Sequence, residues 1–153
     1  MAKGKGGKKR RALITGFGAV LIFVLAFAIL FYFNFRTVEV RGPSMEPTLK
    51  QGRRLLVSNA YWLVGPIRQR DIVVAHPEGM DDVIIKRVAG LAGDKMRVDD
   101  SPNNYSITSG EPYVVPAGTL FLIGDNRPMS SDSREFGPVQ EKDIIGKVIV
   151  FAW

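Results

Sequence analysis

The sequence predicts a mainly β protein, an antiparallel β-sheet or barrel that follows one N-terminal transmembrane helix. Three observations lead there. Residues 13–33 form a run of 21 without a single charge. Beyond it, short apolar segments alternate with polar residues and are cut by Gly, Pro, Asn and Asp. No later stretch keeps a helical period over three turns, so strands account for it better than helices.

The elements follow in order. Residues 1–12 are a Gly/Lys-rich tail, expected to be disordered and cytosolic. Of the 21 Lys and Arg, six (Lys3, Lys5, Lys8, Lys9, Arg10 and Arg11) lie there, and the other 15 balance 15 Asp and Glu. The formal charge of +6 therefore belongs to the tail. Nucleic-acid binding needs basic residues clustered in the folded part, so nucleic acid is excluded as a partner. With no Cys and one His, a thiolate nucleophile, a disulfide framework and an imidazole metal cluster are excluded too, and neither metal nor cofactor is expected.

Residues 13–33, with Thr15 as the one conventional polar side chain, span about 31 Å as a helix, close to the hydrocarbon thickness of a bilayer. A cleaved export signal has a shorter apolar core and ends at small residues. This run leaves through Tyr32, Phe33, Asn34 and Phe35, which favours a retained anchor. The basic tail keeps the N-terminus in the cytosol, so residues 36–153 lie across the plasma membrane on the extracytoplasmic side.

In that part Val38 and Val40 alternate with Glu39 and Arg41, and strands are expected at 55–57, 72–74, 83–85, 120–123 and 144–151. Residues 99–118 are polar and turn-rich and read as a long hairpin loop or a small excursion. Tyr61, Trp62, Leu63 and Val64, ahead of Gly65 and Pro66, read either as an aromatic lipid-interface contact or as a core strand.

Three segments carry chemistry. In Arg41-Gly-Pro-Ser44-Met-Glu-Pro-Thr-Leu49, prolines hold the backbone on either side of Ser44, although a serine between prolines is also an ordinary loop. In Ile84-Ile-Lys86-Arg-Val, the period of two puts Lys86 on the face of Ile84 and Val88. If that face is buried, so is the amine; if not, the stem bends to solvent. Burial matters because a lysine of ordinary pKa is neutral in only roughly 4 cases in 10,000 at pH 7, whereas desolvation lowers that pKa by units. The third segment, Gly124-Asp125-Asn-Arg127-Pro-Met-Ser130-Ser-Asp132-Ser-Arg134, is rich enough in hydrogen-bonding groups to tie a loop to itself, and a solvated turn is the alternative.

Together these segments, with Asp71-Ile-Val-Val74, resemble the type I signal peptidases, membrane-bound serine proteases with a Ser/Lys dyad. The resemblance runs from Val38 to the C-terminus. It implies Ser44 as nucleophile, neutral Lys86 as general base, Ser130 as the hydroxyl orienting the lysine, and Asp125, Arg127, Asp132 and Arg134 as supporting groups. It places the walls of shallow substrate pockets at Val38, Val40, Met45, Leu49, Ile84 and Ile85. It implies removal of N-terminal signal peptides from exported preproteins after an Ala-x-Ala site, with the substrate paired as a strand.

Two departures stand out. A serine that often supplies an oxyanion donor in the family falls on Gly42, which has no hydroxyl, and Pro43 and Arg70 stand where glycine is frequent. His76, in a turn, suits a Ser-His-Asp site poorly. The reading from another class is a catalytically inactive membrane-anchored β-domain acting in assembly or binding.

Overall fold

The computed structural model describes residues 6–96 and 112–151. The chain divides into two compact units, Met1–Asn34 and Phe35–Trp153. In the first, helix α1 runs Gly6–Asn34, and its stretch Gly16–Asn34, with mean hydropathy 2.6, is long and apolar enough to cross a membrane. The helix begins at Gly6, inside the tail expected to be disordered. Lys and Arg are good helix formers and extend a helix once it is nucleated.

The second unit is built on one seven-stranded antiparallel sheet, ordered β1-β2-β9-β3-β4-β7-β8. Its strands are β1 (Phe35–Glu39), β2 (Arg54–Ser58), β3 (Ile72–Ala75), β4 (Ile84–Gly90), β7 (Thr119–Ile123), β8 (Val139–Gln140) and β9 (Ile144–Phe151). A two-stranded ribbon pairs β5 (Lys95–Met96) with β6 (Tyr113–Val114). Most of the loop expected at 99–118 lies outside the described residues.

Side-chain alternation sorts the core onto two faces. In β3, Ile72 and Val74 join Val40, Met45, Leu49, Leu55, Val57, Ile85 and Val148. Val73 and Ala75 join Val88, Leu120, Leu122 and Val139 on the other side. A third cluster holds Val115, Phe121 and Ile123. Burial on both faces is why β3 is a continuous apolar run instead of an alternating one.

Two short helices interrupt the β architecture, α2 (Tyr61–Val64) and α3 (Ser133–Phe136). The core-strand reading of Tyr61–Val64 is thereby corrected: the segment is a single turn with no buried residue. Four apolar residues are too few for periodicity to separate strand from helix.

Candidate active site

Ser44 is half-buried on the turn that follows β1. Two apolar pins hold that turn: Met45, 1% exposed, and Leu49, 0% exposed, sink into the first cluster, and the Leu49 N–H donates to the Met45 carbonyl at 2.9 Å. Gly42, just ahead of it, sits at φ 78, a conformation that glycine adopts without a Cβ penalty.

Lys86 lies in the middle of β4 and is 4% exposed, so the strand face it shares with Ile84 and Val88 is buried. Register sets it beside Val73 of β3, whose other neighbour is Lys147 of β9. The two lysines meet different partners. Lys147 forms an ion pair with Asp71 at 2.8 Å. Lys86 instead donates to the Ser130 hydroxyl at 3.0 Å. Desolvation lowers the Lys86 pKa below the ordinary lysine value; Asp132 and Glu135 pull the other way, and Arg134 adds to the lowering.

The loop after β7 joins these pieces. Its Asn126 N–H donates to the Ser44 carbonyl at 3.0 Å, and its side-chain amide donates to the Pro43 carbonyl at 3.1 Å. Asp125 takes a bond from Thr48, at the end of the same turn, so the loop grips the Ser44 segment at three places. Gly124 sits at the closest approach: a Cβ there would lie 2.6 Å from the Ser44 carbonyl oxygen and 2.5 Å from Ser130 Cβ. Ser44 and Ser130 thus flank one glycine.

Asp132, 0% exposed, is the hub behind Ser130. Its Oδ2 accepts from the Ser130 hydroxyl at 2.8 Å and from the Gly124 N–H at 2.9 Å, and Arg134 donates to both carboxylate oxygens at 2.8 and 3.0 Å. Burial works against this carboxylate, but those bonds outweigh it and hold its pKa below the usual range. The Arg134 guanidinium also donates to the carbonyls of Arg127 and Ser130.

Hydrogen-bond direction then follows. The Ser130 hydroxyl has one proton, and it is committed to a carboxylate, so only lone pairs face Lys86. An uncharged Lys86 spends an N–H on Ser130 and keeps its own lone pair free to take a proton.

Asp125 is held by Arg87 through two bonds of 2.7 and 2.6 Å, which outweigh its burial and keep its pKa low. Arg127 is exposed and contributes its carbonyl. Arg87, Thr48, Asn126 and Gly124 belong to the site's frame although the sequence reading assigned them no role. The signal available for Arg87 was its place beside Lys86.

The six expected pocket residues separate. Val38 and Ile85 line a cleft of about 430 Å³ together with Thr37, Glu39, Arg41, Asp81, Asp82 and Val83. Val40, Met45 and Leu49 are core residues behind it. Ile84 points to the opposite face of β4 from Ile85, as strand neighbours must, and packs against the second cluster. His76 is exposed, and its ring contacts the Met80 carbonyl in its own turn. Among the described residues no three His, Asp or Glu side chains converge on a metal position.

The signal peptidase model, peptidase S26, matches residues 13–104 and 99–153. The chain belongs to the signal peptidase family. It is 35% identical over 160 residues to signal peptidase I of Bacillus caldolyticus, covering 85% of this chain and 86% of that one. It is 30% identical over 168 residues to signal peptidase IB of Staphylococcus aureus, covering 88% and 87%. A crystal structure of a signal peptidase I from Enterococcus faecalis is similar at 24% identity, TM-score 0.42, over 56% of this chain and 97% of that one. As a signal peptidase this protein is a hydrolase of the serine endopeptidase class, and removing signal peptides from preproteins is the work of its family.

Proposed function

We propose that this signal peptidase cleaves exported preproteins after an Ala-x-Ala-like site through a Ser44–Lys86 dyad. Neutral Lys86 takes the Ser44 hydroxyl proton as the oxygen attacks the scissile carbonyl. The Lys86 ammonium gives that proton to the leaving amine as the peptide bond breaks, and the lysine amine, neutral again, deprotonates the water that hydrolyses the acyl-enzyme and returns the proton to Ser44. Ser130 holds the amine, and Asp132 with Arg134 holds Ser130. The Ser44 N–H serves as an oxyanion donor. The substrate lies extended along a strand edge, with small side chains towards the cleft of Val38 and Ile85 and with Val40, Met45 and Leu49 backing the walls.

The observation that carries this reading is the buried Lys86 amine, 3.0 Å from a serine whose proton is spent on Asp132, in the loop that grips the Ser44 turn. Burial is what lowers the Lys86 pKa, while Ser130, fixed by Asp132, orients the amine.

α1 is proposed as a retained single-pass anchor, with residues 1–12 cytosolic and 36–153 on the extracytoplasmic side. Tethering raises the effective concentration of enzyme where preproteins emerge.

The test incubates detergent-solubilised wild type, Ser44→Ala and Lys86→Ala with a labelled preprotein carrying an Ala-x-Ala site. Loss of cleavage in both variants, with circular dichroism unchanged, is expected. Turnover in either at the wild-type rate contradicts the dyad.

A further inference from the structure

The peptide group that joins Pro43 to Ser44 is held at one end and free at the other. Its carbonyl accepts twice, from the Glu46 N–H at 3.0 Å, which closes the turn, and from the side-chain amide of Asn126 at 3.1 Å. Both carbonyl lone pairs are thereby used. A carbonyl only accepts, so the Asn126 group that faces it is the NH2 and not the oxygen. At the other end of the same plane, the Ser44 N–H meets no acceptor among the described residues. Asn126 is itself fixed. Its N–H donates to the Ser44 carbonyl at 3.0 Å, and its own carbonyl accepts from the Met129 N–H at 3.0 Å. One residue thus binds the carbonyls on both sides of the Ser44 α-carbon. Neither Gly42 nor Pro43 has a polar side chain, and Pro43 has no N–H, so no side-chain donor from that stretch shares the work of the Ser44 N–H.

We infer that Asn126 is a positioning residue for the oxyanion: its side-chain amide orients and polarises the peptide group whose N–H, that of Ser44, meets the scissile carbonyl oxygen in the transition state. This inference rests on the Ser44 reading proposed above and deepens it. Two effects act. A peptide group is planar, so fixing its carbonyl fixes the direction of its N–H. A donor on the carbonyl oxygen also draws electron density from the nitrogen and strengthens the N–H as a donor, by roughly 10–30% per bond. Such a donor counts because the charge on the substrate oxygen develops only in the transition state, where one donor is worth about 10²–10³ in rate. Ten to thirty per cent of that, on the logarithmic scale, is about two- to eightfold. Asn126 and Ser44 are half-buried and Pro43 is exposed, so removing the amide leaves no sealed cavity.

The test compares the full chain in detergent with Asn126→Ala, using a preprotein and two peptides built on its cleavage-site residues. One peptide ends in an aldehyde, to which the Ser44 oxygen adds, its proton passing to Lys86 and the aldehyde oxygen becoming an oxyanion. The other carries a methylene in place of the scissile carbonyl, so it fills the cleft and forms no oxyanion. In Asn126→Ala, kcat is expected to fall about two- to eightfold with KM unchanged. The aldehyde should bind more weakly by the same factor and the methylene peptide equally well. The pH profile should stay in place, because Lys86 keeps its bond to Ser130 and Ser130 its bond to Asp132. Asn126→Ser, whose hydroxyl is one bond shorter than the amide, repeats the measurement if alanine upsets the fold. Wild-type kcat and aldehyde affinity in these variants overturn the inference, as does equal weakening of both peptides or a shifted pH profile. The aldehyde also separates the two claims. If it binds Ser44→Ala as tightly as wild type, the Ser44 reading falls and this inference with it. Tight, Ser44-dependent binding that Asn126→Ala leaves unchanged overturns the role of Asn126 alone.

Discussion

Replacing Gly124 with alanine tests whether Ser44 and Ser130 are held at the spacing catalysis needs. The new methyl would stand 2.6 Å from the Ser44 carbonyl oxygen and 2.5 Å from Ser130 Cβ, where ordinary contact begins at 3.4 Å. One is backbone and the other a short branch, half-buried and tied to Asp132, so neither can swing aside. The two segments must part by about 0.8 Å, and a displacement near 1 Å costs about a hundredfold in rate. Overpacking adds a stability loss of about 1–3 kcal/mol. Gly124→Ala is therefore expected to lower kcat/KM on a preprotein by about a hundredfold, or roughly 2.7 kcal/mol of barrier, while the chain stays folded. Gly90→Ala is the control, because its methyl meets the sulfur end of flexible Met96, away from the site. It is expected to lower Tm and leave kcat/KM unchanged. A Gly124→Ala enzyme with wild-type kcat/KM would refute the reasoning.

Three further outcomes follow. Ser130→Ala removes the acceptor of Lys86 but leaves Asp132 its bonds from Gly124 and Arg134, so kcat should drop with KM unchanged, and stability should fall by about 1.5–3 kcal/mol in denaturant titration. Arg70 has φ 74, a conformation costing a side-chain-bearing residue roughly 1–2 kcal/mol, so Arg70→Gly should raise Tm even after the entropy glycine adds to the unfolded chain. Lys86→Met should be more stable than wild type at neutral pH, since each unit by which burial lowers the lysine pKa costs about 1.4 kcal/mol. Between the folded pKa and the unfolded one the unfolded chain holds more protons, so wild-type stability rises with pH across that window and the gap in Tm narrows towards pH 10.5.

The strands were readable because the core obeys a period of two: Ile72, Val74 and Ile85 face one way, Val73 and Val88 the other. The same period carried Lys86 onto a buried face. It could not separate Lys86 from Lys147, which flank Val73 symmetrically, because what distinguishes them is which partner each head group finds. The pair of Arg87 with Asp125 joins positions 38 apart and is set by how the loop after β7 closes over β4. The need for glycine at 124 comes from two segments distant in sequence meeting there, and nothing in the residues around it announces that. Tyr61–Val64 defeated the pattern for the opposite reason, since four apolar residues fit a helical turn as well as a strand.

The central claim is that the Lys86 amine is uncharged under working conditions. The direct measurement is an NMR titration of the full chain in detergent with lysine labelled at 13Cε, the Lys86 signal being assigned by its loss in Lys86→Met. The account predicts one lysine titrating well below the rest, with its amine protonating only as the solution is acidified. A Lys86 signal that titrates with the other lysines, near their ordinary value of about 10.4, would contradict it.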